Sequence, residues 1–319
     1  MTPTLRQLEY IVALAETGHF GQAAARCGVS QPALSRQVRD VEELLGVALF
    51  ERTRPRTLPT EAGQGLVARA RGVLADVREL AEAARAHAGL GRAHVRIGVI
   101  PTVAPYALPG LLAEARLLLP EATFAVHELQ TEVLLDALAG GIVDLALLAR
   151  PFPAGGFAGT DLVFEPFVLV APTGHPLARR CAVDREELAG ASLILLEDGH
   201  CLRDQALEVC TLAGAPPETT VTAASITTLM RMVEGGLGAT LLPASALSVE
   251  LATTRAVRAR SFAGDPPGRL LTLQWRGSSP HGAVHRLLAD ALRAHYLGLN
   301  ADMPAVHGPC PAIVSAGQA

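Results

Sequence analysis

Two cysteines, Cys201 and Cys210, stand nine positions apart in the run LLEDGHCLRDQALEVC. A thiol is reactive when it is a thiolate, partly exposed and near positive charge. His200 and Arg203 flank Cys201 and can supply that charge or hydrogen-bond donors. By residue type and spacing the pair are candidates for thiol redox chemistry. The other three cysteines carry less. Cys27 falls on a short N-terminal helix and reads as a small core residue. Cys181, beside Arg179 and Arg180, reads as a loop thiol of incidental reactivity, and Cys310 falls in the C-terminal tail. Five is an odd count, which argues against a structural disulfide framework. With no CxxC pair and no His/Cys cluster at ligand spacing, no metal or other cofactor is expected.

The elements that must position these thiols begin at His94. Short apolar strands alternate with helices: HVRIGVI, then APYALPGLLAEARLLLP, TFAVHEL, TEVLLDALAGGIV and DLALLA. His127 reads there as a strand residue rather than a ligand. Thr102 precedes a helix, and Thr131 stands where a helix N-cap is expected. LVFEPFVLVAP and SLILLE follow, Gly199 marks a turn, and LRDQALEVC continues as a helix. Later come ITTLMRMVEGGLGATLLP, the strand RLLTLQWR and a helix over 282–296. The pattern is α/β with mostly buried sheets. Its order predicts an effector domain over 91–300 in two subdomains, 91–163 plus 267–300 and 164–266, hinged around a cleft. Residues 301–319, rich in Pro, Gly and Ala, are expected to be a flexible tail.

The first 60 residues follow a different plan. Leu5, Leu8, Ile11, Val12 and Ala15 fall at helix spacing, and Gly18 ends that helix. GQAAARC is a second short helix, and Gly28 turns the chain. Ser30 is an N-cap candidate and Pro32 fits the first turn of a third helix. Leu34, Val38, Val41, Leu44 and Leu45 form its apolar stripe. Two short helices across a tight turn make a helix-turn-helix. VALFERTRPRTLPTEAG adds a two-stranded wing carrying Arg52, Arg54 and Arg56, and Thr60 caps a long linker or dimerisation helix over 61–90.

Charge and hydropathy bound what such a chain can do. Its 319 residues carry a formal net charge of -4, with 11 Arg against 10 acids through residue 90 and 16 against 21 beyond it. A nearly neutral head binds DNA only if its cations share a face. All 27 basic residues are Arg, a bias that weakens any argument from a single surface Arg. No run of 18 uninterrupted apolar residues marks a membrane span, and Met1 to Gln7 lack the pattern of a signal peptide. A cytoplasmic protein without a membrane partner is expected.

The segment LRQLEYIVALAETGHFGQAAARCGVSQPALSRQVRDVEELLGVALFERT resembles the winged helix-turn-helix of LysR-type transcriptional regulators, over residues 4–65. The α/β remainder is similar to that family's effector domain, which has a periplasmic-binding-protein-like fold of two subdomains. The resemblance implies double-stranded operator DNA as partner, with Gln31, Pro32, Ser35, Arg36 and Arg39 on the recognition helix reading the major groove. Arg52, Arg54 and Arg56 of the wing would meet the backbone or minor groove. It further implies a dimer to read two half-sites, a tetramer built from two dimers, and contact with RNA polymerase.

IGVIPTVAPYALP, HELQT, LLEDGHCLRDQALEVC and GATLLPA are similar, more narrowly, to the peroxide-sensing members of that family. That likeness implies hydrogen peroxide as effector and a pocket formed by Thr102, Thr131, His200 and Arg269. It casts Cys201 as the thiol oxidised to sulfenic acid and Cys210 as its resolving partner. Nine residues of helix span about 13 Å, whereas a disulfide needs Cα atoms within roughly 7 Å. Bond formation between them must therefore refold the segment, which makes it a switch. Two alternatives compete: a LysR-type regulator answering a small metabolite in the cleft, and a thiol peroxidase fused to a DNA-binding head. The paired thiols weigh against the first. The lack of a recycling dithiol or cofactor fingerprint weighs against the second, so no enzyme is expected.

Overall fold

The computed structural model describes residues 2–51, 56–87, 94–153, 156–214, 221–279 and 281–301. Helix α1 (Leu5–Thr17) opens on a capping box between Thr4 and Gln7 and closes at Gly18, whose φ of 64° lies in the left-handed region. Helices α2 (Phe20–Arg26) and α3 (Gln31–Leu45) meet across Gly28. Pro32 sits in the first turn of α3, while Ser30 takes the N-cap backbone position without a side-chain cap bond. Ile11, Leu14, Ala23, Leu34, Val38 and Val41 bury one small core. Leu44 and Leu45 were expected on that stripe but are exposed, because the last turn of α3 extends past the three-helix core.

The wing strands β1 (Phe50–Glu51) and β2 (Leu58–Pro59) pair antiparallel. Thr60 then caps α4 (Glu61–His87) as expected: its Oγ1 accepts from the Gly63 N–H at 2.9 Å and donates to the Ala48 carbonyl at 2.8 Å. Gly63 permits that approach, since a Cβ there would lie 2.0 Å from the Leu49 carbonyl oxygen. Further along α4, Arg78 Nη2 donates to the Gly140 carbonyl at 3.1 Å, tying the helix to the following domain.

That domain runs β3 (His94–Val99), α5 (Ala104–Leu118), β4 (Thr123–Glu128), α6 (Thr131–Ala139), β5 (Leu145–Ala149) and β6 (Ala158–Pro172). Then follow β7 (Leu195–Leu196), α7 (Cys201–Leu212), β8 (Thr222–Ala223), α8 (Ile226–Glu234), β9 (Thr240–Pro243), the short α9 (Leu247–Glu250), β10 (Val257–Arg260), β11 (Gly268–Trp275) and α10 (Gly282–Ala301). The main sheet reads β4-β3-β5-β11-β6-β10, with β9 also on β6. Strands β3, β4 and β5 are parallel, and β11 runs against both β5 and β6. All five residues of β5 are buried, as a strand covered on both faces requires.

One strand serves both halves of the domain. Ala158–Pro166 of β6 pairs with β11, and Phe167–Pro172 pairs with β9 and β10. Two apolar cores result. One gathers Ile97, Leu147, Leu271, Leu292 and Tyr296, and the other Phe167, Leu195, Leu202, Met230 and Leu241. Cys181, expected as a loop thiol, is disulfide-bonded; Cys310 lies outside the described residues. Among the described residues no helix is long and apolar enough to cross a membrane.

Candidate functional site

Cys201 is the first residue of α7 and Cys210 lies in its last turn, and both thiols are free. A helix N-terminus favours negative charge, and Cys201 is half-buried there. Nine residues amount to about two and a half turns, so the thiols leave the helix on opposite sides, about 13 Å apart along its axis. They also enter different cores. Cys201 packs against the core that contains Ile97 and Leu271, whereas Cys210 is fully buried in the one that contains Met230 and Leu241. Burial pushes the Cys210 thiol up to about 11, so in this state it is a neutral, sequestered group.

The cation beside Cys201 is not the one its neighbours in sequence suggested. Arg203 pairs with Asp198 at 2.9 Å and donates to the Leu196 carbonyl at 3.0 Å, fastening α7 to the strand before it. The cation that couples electrostatically to the Cys201 sulfur is Arg269 on β11, a fully buried guanidinium paired with Glu165. Its Nε donates to Glu165 Oε2 at 2.7 Å, Nη1 to Thr102 Oγ1 at 2.8 Å and Nη2 to the Thr102 carbonyl at 3.1 Å. Burial works against its charge, but the Glu165 carboxylate and then the Cys201 sulfur outweigh that and hold its pKa raised. Glu165 was not anticipated as a site residue. A carboxylate inside the apolar strand LVFEPFVLV was the available signal, because such a charge must find a buried partner.

His200, the N-cap of α7, is buried, and burial lowers its pKa against the opposing charges of Glu197 and Glu128. Among the described residues its Nδ1 has no hydrogen-bond partner, nor has the buried Oγ1 of Thr131. Thr131 does not cap α6; the cap position belongs to Gln130. Gln130 in turn presses on the turn before Cys201. Gly199 has φ +90°, and a Cβ there would meet Gln130 Oε1 at 2.6 Å. Thr102 likewise stands before α5 without capping it, its hydroxyl engaged by Arg269. Thr102 and His200 line one cavity of about 100 Å³ together with Tyr106, Glu128, Ser225 and Thr227. Neither Arg269 nor Thr131 lines it.

In the head, Gln31, Pro32, Arg36 and Arg39 are exposed and Ser35 is half-buried. At about 100° per residue they cover one side of α3, adjoining the stripe of buried Leu34, Val38 and Val41 at Gln31 and turning away from it towards Arg36. The Arg39 Nε donates to the Ser35 carbonyl at 3.3 Å, which leans that side chain along the helix. Arg56 is exposed two residues before β2, while Arg52 and Arg54 lie outside the described residues.

A helix-turn-helix with an exposed polar recognition face, joined by a long helix to a two-core α/β domain, defines a ligand- or redox-controlled DNA-binding regulator. The chain matches the family of bacterial regulatory helix-turn-helix proteins of the lysR type over residues 5–64 and the LysR substrate binding domain over 88–297; it belongs to the LysR family. It is 46% identical over 292 residues to a probable hydrogen peroxide-inducible genes activator of Streptomyces viridosporus, covering 91% of this chain and 94% of that one. Among solved structures it is similar to a full-length cysteine-to-aspartate variant of OxyR from Pseudomonas aeruginosa, at 36% identity and TM-score 0.72, covering 92% of this chain and 98% of that one. A hydrogen peroxide-bound cysteine-to-serine variant of Corynebacterium glutamicum OxyR superposes at TM-score 0.64 and 33% identity, covering 94% and 95% of the two chains.

Proposed function

We infer that this chain is a hydrogen peroxide-responsive transcriptional regulator, acting in the cytoplasm on operator DNA and not as an enzyme. One observation carries the reading: a half-buried thiol opens a helix beside a buried cation, while its partner thiol is locked into a different core. In the first step the Cys201 thiolate attacks one oxygen of peroxide. The O–O bond breaks, the sulfur becomes a sulfenic acid and hydroxide leaves, to be protonated to water. Thr102 Oγ1 accepts from Arg269, so its own O–H is left to donate. That hydroxyl, with His200 and Thr131, would hold peroxide and stabilise the departing hydroxide. In the second step the Cys210 thiol attacks the sulfenic sulfur, the S–O bond breaks, and water and the disulfide form. The helix must unwind for this, and the new shape changes how the paired heads sit on DNA.

The cavity beside His200 suits a very small molecule such as peroxide. Its volume of about 100 Å³ is well below the roughly 300–1,000 Å³ of pockets that bury drug-sized ligands. The deciding experiment is a DNA footprint of reduced and peroxide-treated protein, with Cys201→Ser as control. The wild-type footprint should change on treatment and the variant's should not. A Cys201→Ser protein that still answers peroxide would sink the reading.

A further inference from the structure

A second cavity, sharing no residue with the one beside His200, lies along α7 and has a volume of about 180 Å³. Helix α7 lines it with Gln205, Glu208, Val209 and Leu212, while Arg150 and Arg185 come from other parts of the domain. Gln205 is more than nine-tenths buried. Its Nε2 donates to the Arg150 carbonyl at 3.0 Å, but its Oε1 is buried without a partner among the described residues. A buried acceptor left unmet is an unfavourable feature that a bound donor removes.

The charges around that oxygen narrow the ligand. Arg150 is already matched by Asp161 at 3.0 Å. Arg185 donates only to the Asp265 backbone carbonyl, and neither it nor Glu208 is in an ion pair among the described residues. The cavity therefore presents one unmatched cation, one unmatched carboxylate and one unmet acceptor, beside the apolar surface of Val209 and Leu212. We propose that it binds a free α-amino acid with a small apolar side chain. The ligand carboxylate faces Arg185, the ammonium faces Glu208 and Gln205 Oε1, and the side chain lies on Val209 and Leu212.

Such a ligand would do more than fill space. Three of its contacts, Gln205, Glu208 and Val209, sit on α7 between the two thiols, Leu212 lies just past Cys210, and Arg150 and Arg185 come from outside the helix. Binding therefore ties the helical form of the segment to the rest of the domain. Anything that binds only this form stabilises it by mass action, so the amino acid slows closure of the disulfide and raises the peroxide level needed to throw the switch. This consequence rests on the Cys201–Cys210 reading above; the binding does not.

The test uses reduced full-length protein and three probes: L-valine, isovalerate, which lacks the amine, and isobutylamine, which lacks the carboxylate. Calorimetry should detect valine binding, with both truncated probes about tenfold weaker or more. Glu208→Gln, an exposed change that leaves the core untouched, and Arg185→Gln should each weaken valine by a similar factor. Disulfide formation after peroxide, followed by mass spectrometry, should slow several-fold in saturating valine in the wild type and not in either variant. Absence of valine binding by folded, DNA-binding protein overturns the site. So does binding that survives both substitutions unchanged, and binding without any effect on the disulfide rate overturns the regulatory role. Were no disulfide to form even without valine, the thiol reading would fail while calorimetry still decided the site.

Discussion

A guanidinium has five N–H donors in a fixed fork, and Arg269 directs three of its bonds at named oxygens of Glu165 and Thr102. A lysine keeps the charge but not the fork. Arg269→Lys is therefore expected to fold, keeping Glu165 compensated, yet to release Thr102. The rate of Cys201 oxidation should fall by on the order of a hundredfold to a thousandfold, the usual consequence of losing one preorganised donor. Stopped-flow kinetics on reduced protein, with folding checked by circular dichroism, measures this; an unchanged rate would remove Arg269 from the peroxide site. Each half of this pair is readable in the chain, as a cation opening RLLTLQWR and an acid inside LVFEPFVLV. Their meeting is not. It depends on the register of β11 against β6, which sets Arg269 opposite Glu165 across 104 residues of chain. Local spacing carries no information about that register. It likewise missed that Gln130, not Thr131, takes the cap of α6, which leaves the Thr131 hydroxyl without a partner.

At the scale of elements, α7 is the part that must move. Its start and its helical nature were legible from Gly199 and from the run after it, and so was the mismatch between helix rise and disulfide reach. Its lodging of the two thiols in separate cores was not, since that depends on how β6 divides between the halves of the domain. If unwinding precedes closure, weakening the helix alone should speed the second chemical step. Ala206 is a buried helix-interior residue on α7, and Ala206→Gly costs about 1 kcal/mol of helix stability. Disulfide formation should then accelerate up to roughly fivefold, while sulfenic acid formation, trapped by a dione reagent, keeps its rate. Acceleration of both steps would mean that the change acts on Cys201 directly rather than through the helix.

At the scale of the whole molecule, two groups of exposed apolar side chains among the described residues bear on assembly. Val73, Val77 and Leu80 of α4 are all exposed, at spacings of four and three along one helix face. That spacing suits the seam of a two-helix interface. Far along the chain, β4 is the open edge of the main sheet, and exposed Leu117, Val126 and Val133 lie on it or on the helices next to it in sequence. Each region suits a self-complementary contact, and two different two-fold contacts close a tetramer as a pair of dimers. The α4 contact would bring two heads together for two half-sites, and the edge contact would join two such dimers. Breaking them one at a time separates these roles. Val77→Glu with Leu80→Glu should leave dimers held only by the edge contact and lose tight binding to paired half-sites. Leu117→Glu with Val126→Lys should leave dimers that still bind one pair of half-sites. Combining all four changes should give monomers. Sedimentation velocity reads the assembly and a gel shift on one and two half-site pairs reads the DNA binding. A tetramer that survives both pairs of substitutions would place its interfaces elsewhere on the chain.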